Sequence, residues 1–147
     1  METAFSVFRK IENSPSVAVH GQVFTKPHIV ELMLDLADYR GEQSVKVLDP
    51  GCGGGAFMLA AAARLVRANG PPARFEDFAD CITGVEKDAD SAAICRKNLR
   101  DLLVSEGVSD KLAGRLAKHW VIEADFLGHN FANGYDLVIG NPPYNAN

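Results

Sequence analysis

Apolar positions recur along this chain in two periods, and the alternation between them sets out its elements. From His28 the residues Ile29, Leu32, Met33, Leu36 and Ala37 follow helical spacing, which predicts a helix over 28–39 that buries that face. Thr25 lies just ahead of it and Pro27 near its first turn, as helix starts prefer. Residues 44–48 are apolar and β-branched enough to predict a strand, and they run into a glycine-rich turn at 51–55. A helix dense in Ala and Leu follows over 56–69 and stops at Gly70-Pro71-Pro72. After a polar connection at 73–80, residues 81–85 predict a second strand. Residues 88–103 predict a helix with Ala92, Ala93, Ile94, Leu99 and Leu102 on its apolar side. A short helix over 110–117, with strands over 119–124 and 135–140, completes the pattern; Trp120 reads as a core residue at a strand start. Residues 1–20 read as a lead-in with a short amphipathic helix over 5–11, and 21–147 as the domain.

Strands and helices in this alternation predict an α/β fold, an open, mainly parallel sheet with right-handed crossovers and flanking helices. Such sheets bind ligands at the carboxyl ends of their strands. The polar residues of interest fall at those ends.

Composition narrows the class. A chain of 147 residues with 47% hydrophobic and 23% charged content suits one soluble globular domain. No apolar run approaches the roughly 20 residues that cross a bilayer, and residues 1–14 carry no signal-peptide core. No membrane partner and a cytoplasmic location are therefore expected. Cys52, Cys81 and Cys95 form no CxxC pair and have no histidine at zinc spacing, so they read as buried reduced thiols and no metal is expected. His20, His28, His119 and His129 lie on unrelated elements and read as structural or surface residues. The net charge of −4 argues against this segment alone gripping a nucleic-acid backbone.

The first candidate site is Asp49-Pro50-Gly51-Cys52-Gly53-Gly54-Gly55. Glycines there let the chain turn sharply and let a ligand approach without a Cβ in the way. A carboxylate at the end of the strand repels a pyrophosphate but attracts an ammonium. A ligand with an amino-acid end and a nucleoside end fits, and S-adenosylmethionine is one. Glu86, at the next strand end, is placed to accept from a ribose diol. Asp125 at the third can accept from an exocyclic amine, with Phe126 beside it to stack on adenine. Each acid alone reads as a solvated loop residue or a helix cap; three at successive strand ends, in order, point to a nucleoside ligand. The last strand runs into Asn141-Pro142-Pro143-Tyr144, where the prolines fix φ, hold Asn141 extended and leave Tyr144 as a flat partner.

Together these segments resemble the cofactor-binding part of the N6-adenine DNA methyltransferases of restriction-modification systems. Residues 21–30 resemble the family's N-terminal motif, in which a threonine, here Thr25, helps hold the methionine carboxylate. Residues 49–57 resemble its glycine-rich motif, including Gly51, Gly53 and Gly55, and 84–88 its ribose motif with Glu86. Asp125 and Phe126 resemble its adenine motif, and Asn141 to Tyr144 its catalytic motif. With the N-terminal motif first and the catalytic motif last, the order is that of the gamma group. Lys26, Gly51 and Gly54 stand where proline, alanine and serine are common, departures that touch loop stiffness more than chemistry.

The resemblance implies a Rossmann-like S-adenosylmethionine-dependent methyltransferase fold, truncated after the fourth strand. It implies methyl transfer to adenine N6 of a flipped base. Asn141 and the Pro142 carbonyl would accept the N6 hydrogens and Tyr144 would stack on the base. DNA would be engaged through a C-terminal region that this chain lacks, with a restriction or specificity subunit as a further partner, and the isolated chain is expected to be inactive. The same tetrapeptide occurs in methyltransferases of RNA guanine and of protein glutamine, which stay open as alternatives, as does a non-catalytic cofactor-binding or assembly module.

Overall fold

The computed structural model describes residues 25–131 and 134–140. The lead-in and the tetrapeptide at 141–144 lie outside the described residues. In chain order the elements are α1 (Pro27–Leu36), β1 (Val47–Asp49), α2 (Ala56–Asn69), α3 (Phe75–Phe78), β2 (Ile82–Glu86), α4 (Ala89–Ser105), α5 (Asp110–Trp120), β3 (Val121–Glu123) and β4 (Leu137–Val138). A single 3-10 turn, Phe126–Gly128, follows β3.

The four strands form one parallel sheet in the order β3-β2-β1-β4. The expected parallel α/β sheet is therefore present. The chain leaves β1 towards β2 on one side and returns to β4 on the other. The crevice beyond the carboxyl ends of β1 and β4 is thus the topological switch point, where open α/β sheets bind ligands.

α2 is the packing centre. Its Phe57 to Ala63 run is buried throughout, and it packs against α1, α4 and the sheet. Four consecutive alanines let these neighbours approach closely while Leu59 and Leu65 fill the gaps between them. α4 starts on an Asp88 cap, whose carboxylate accepts from the Ser91 amide at 2.9 Å.

Several expectations change. The buried face of α1 is Pro27, Val30 and Leu34, whereas Ile29, Leu32 and Leu36 are 38%, 51% and 78% exposed. Its N-cap is Lys26, one residue after Thr25, and the helix ends at Leu36 rather than at residue 39. The helix expected over 110–117 continues to Trp120, so His119 and Trp120 are helical and β3 begins at Val121. Burial of Ala113, Leu116, Ala117 and Trp120 at helical spacing holds that last turn, and the Trp120 indole N–H donates to the Phe78 carbonyl at 3.0 Å. On α4, Cys95 rather than Ala93 or Ile94 faces the core, and the polar connection at 73–80 contains the short helix α3.

Candidate cofactor site

β1 ends on Asp49 and β2 on Glu86, and both carboxylates are buried, at 2% and 6% exposure. The loop between β1 and α2 is tied to its surroundings at several points. The Cys52 amide donates to the Val85 carbonyl at 3.0 Å, and the Asn98 side-chain amide donates to the Gly54 carbonyl at 3.3 Å. Gly53 and Gly55 have φ of +51° and +102°, the left-handed region that favours glycine, and Gly55 is the N-cap of α2. A Cβ on Gly55 would also stand 2.8 Å from Cys95 Sγ.

The glycine loop and Glu86 are bonded to each other. Glu86 Oε2 accepts from the Gly53 amide at 2.9 Å, and Oε1 accepts from the Asp88 amide at 3.1 Å. Each oxygen keeps lone-pair capacity for a hydroxyl. The sequence placed Glu86 at a strand end but gave no sign that the loop itself would orient it.

Asp49 Oδ1 accepts from the Gly51 amide at 3.2 Å. Burial pushes this carboxyl up to about 7; the Gly51 bond opposes the rise and the Glu86 charge adds to it. A buried acid in this state, facing a second carboxylate, fits a ligand that brings a positive charge. Across the switch point stands Gly140, just after β4. A Cβ there would lie 2.6 Å from Asp49 Oδ1, so the absent side chain makes room for the carboxylate. Gly84 plays a similar part in β2, where a Cβ would meet Met58 at 2.8 Å and Cys52 at 3.0 Å. Both glycines escaped the sequence reading, although a glycine inside or beside a strand signals close approach.

The third strand end departs from expectation. β3 finishes at Glu123, and Asp125 is exposed two residues later. Its carboxylate caps the turn Phe126–Gly128, with Oδ1 accepting from the Leu127 amide at 3.1 Å. Phe126 is half-buried and packs on Phe131 at 5.4 Å between ring centroids, and Phe131 in turn meets His129 and Tyr135. An aromatic group therefore gathers beyond β3, where the sequence indicated Phe126 alone.

Asp49, Gly51, Gly53, Gly55 and Glu86 thus form one site around the glycine loop. Thr25 is half-buried just before α1, and Asn141, Pro142 and Tyr144 lie outside the described residues. All three cysteines are buried; a hydrogen bond with Cys95, together with burial, pushes the Cys52 thiol up, the state of an inert core thiol. Among the described residues no group of His, Cys, Asp and Glu is arranged to hold a metal ion, and no helix is long and apolar enough to cross a membrane.

A family model described as N-6 DNA Methylase matches residues 11–147. The chain belongs to that family. It is 36% identical over 141 residues to Type II methyltransferase M.BstVI of Geobacillus stearothermophilus, covering 88% of this chain and 25% of that protein. It is 35% identical over 133 residues to Type II methyltransferase M.PaeR7I of Pseudomonas aeruginosa, covering 84% of this chain and 23% of that protein. With Type II methyltransferase M.XhoI of Xanthomonas vasicola it shares 32% over 132 residues, covering 84% and 24%. The chain therefore spans about a quarter of the length of the curated relatives it matches.

Proposed function

We propose that this chain supplies the S-adenosylmethionine-binding part of a methyltransferase that acts on adenine N6 in DNA. The observation that carries the reading is the pair of buried carboxylates, Asp49 and Glu86, joined through the glycine loop at the switch point of the sheet. Family membership and the type II methyltransferase relatives support DNA as the substrate.

S-adenosylmethionine, when bound, supplies an electrophilic methyl group. Asp49 would take the ammonium of its amino-acid end, with Thr25 towards the carboxylate, and Glu86 would accept from the ribose hydroxyls. Asp125 and Phe126 would hold the adenine, Asp125 by a bond to the exocyclic amine. Asn141 and the Pro142 carbonyl would accept the two hydrogens of the target amine, which shifts the nitrogen towards sp³ character and aims its lone pair. Tyr144 would stack on the flipped base. Rate then comes from positioning. Most of the grip on DNA would come from regions outside this chain, given the net charge of −4.

The complete protein, incubated with labelled S-adenosylmethionine and duplex DNA, should yield label in N6-methyladenine after digestion to nucleosides. Label confined to methylcytosine, to RNA guanine or to protein glutamine would replace this substrate with one of the alternatives.

A further inference from the structure

We propose a second site, away from the glycine loop, that binds a phosphate group. A cavity of about 330 Å³ lies between α3 and α5, with Arg74, Phe75, Lys111, Leu112 and Arg115 in its wall. These are the segments through which the chain enters β2 and β3, whereas Asp49 and Glu86 stand where strands finish. None of the cofactor-site residues lines it.

Lys111 and Arg115 are four residues apart on α5 and so share one face of that helix. Among the described residues neither has a carboxylate within ion-pair distance. Arg40, Arg64, Arg67 and Arg100, by contrast, are each ion-paired. Asp110, next to Lys111 in the chain, is drawn onto Arg100 by bonds of 2.6 to 3.0 Å. Arg74 adds a third cation, partly neutralised by Asp77, and Glu76 is the opposing charge in the wall.

The Arg115 guanidinium is held over the Phe75 ring at 4.6 Å, and Phe75 is itself fixed edge-on against His119. That cation–π contact places the fork of donors before any ligand arrives, which reduces the ordering cost of binding. Lys111 on the same helix face as the preset Arg115 guanidinium, with Arg74 opposite and Glu76 the one acid in the wall, matches a phosphate oxyanion. The phosphate could come from a free phosphate compound or from a nucleic-acid backbone.

The test uses the 147-residue chain at low ionic strength, with backbone amide shifts followed by NMR. One arm titrates inorganic phosphate; the other titrates a short duplex DNA without terminal phosphates. Saturable shifts at 74–76 and 109–115 in either arm are expected, and the arm in which they occur names the source. Lys111→Gln with Arg115→Gln should weaken that binding about tenfold or more, while S-adenosylhomocysteine affinity stays unchanged. No saturable shift in either arm, equal binding by the double variant, or the same shifts with sodium chloride at matched ionic strength would overturn the proposal. Because S-adenosylhomocysteine binding is read on the same samples, failure of the cofactor site registers separately.

Discussion

The Gly53 amide donates to Glu86 Oε2 at 2.9 Å, and this bond joins the loop after β1 to the end of β2. Glu86 therefore organises the loop, in addition to the ribose contact proposed for it. Glu86→Ala should weaken S-adenosylhomocysteine binding by roughly 1.5–3 kcal/mol for each charge-assisted bond lost. It should also lower the melting temperature, because the Gly53 and Asp88 amides lose their acceptor. Glu86→Gln, which retains one acceptor oxygen, should fall between the two in both measurements. Wild-type affinity in Glu86→Ala would remove the ribose role.

Asp49 should make cofactor binding depend on pH. Its carboxyl is pushed from an ordinary 3.8 up to about 7 by burial. A ligand ammonium pairs with the ionised form, so affinity should rise about tenfold from about pH 6 to about pH 8 and then level off. An analogue lacking the amino group should show no such slope. Stability without ligand runs the other way. The folded state holds a proton that the unfolded chain releases, so stability falls as pH rises from 3.8 towards about 7. Asp49→Asn should flatten both curves, read by calorimetry and by thermal unfolding across the range.

Gly140 should tolerate no side chain. A Cβ 2.6 Å from Asp49 Oδ1 forces a buried carboxylate off its bond to the Gly51 amide. Gly140→Ala is expected to cost roughly 1–3 kcal/mol of stability and to weaken cofactor binding. Shortening the partner in Gly140→Ala with Asp49→Ser should recover stability but not binding. A double variant no more stable than Gly140→Ala would show that the strain lies elsewhere.

In the complete protein, Asn141 should matter for chemistry far more than for cofactor affinity, because its acceptor is best satisfied in the transition state. Asn141→Ala should lower the single-turnover rate by several orders of magnitude and leave S-adenosylhomocysteine affinity nearly unchanged. Tyr144→Ala should weaken capture of the flipped base by roughly 1–3 kcal/mol, the scale of a base–aromatic stack, with Tyr144→Phe mild. A normal single-turnover rate in Asn141→Ala would reduce the tetrapeptide to a structural turn.

Much of the fold was legible because the strands and helices alternate in clear periods and two of the three acids fall at strand ends. Asp49 and Glu86 stand where the pattern put them. α1 misled because both Ile29/Leu32/Leu36 and Val30/Leu34 satisfy helical spacing, so periodicity alone could not choose the buried face. The end of α5 misled because Trp120 heads an apolar run with Val121 and Ile122 that also reads as strand; only the spacing of Ala113, Leu116, Ala117 and Trp120 marks the helix. At the site, contacts across the sheet, Gly53 to Glu86 and Asp49 to Gly140, join residues 33 and 91 positions apart. No local pattern carries that information.

Calorimetric titration of this 147-residue chain with S-adenosylhomocysteine asks whether Asp49, the glycine loop and Glu86 bind the cofactor. Saturable one-to-one binding that is strongly weakened in Glu86→Ala and that strengthens from about pH 6 to about pH 8 is the result expected. Absence of saturable binding to the folded wild-type chain, or binding indifferent to both Glu86 and pH, would contradict it.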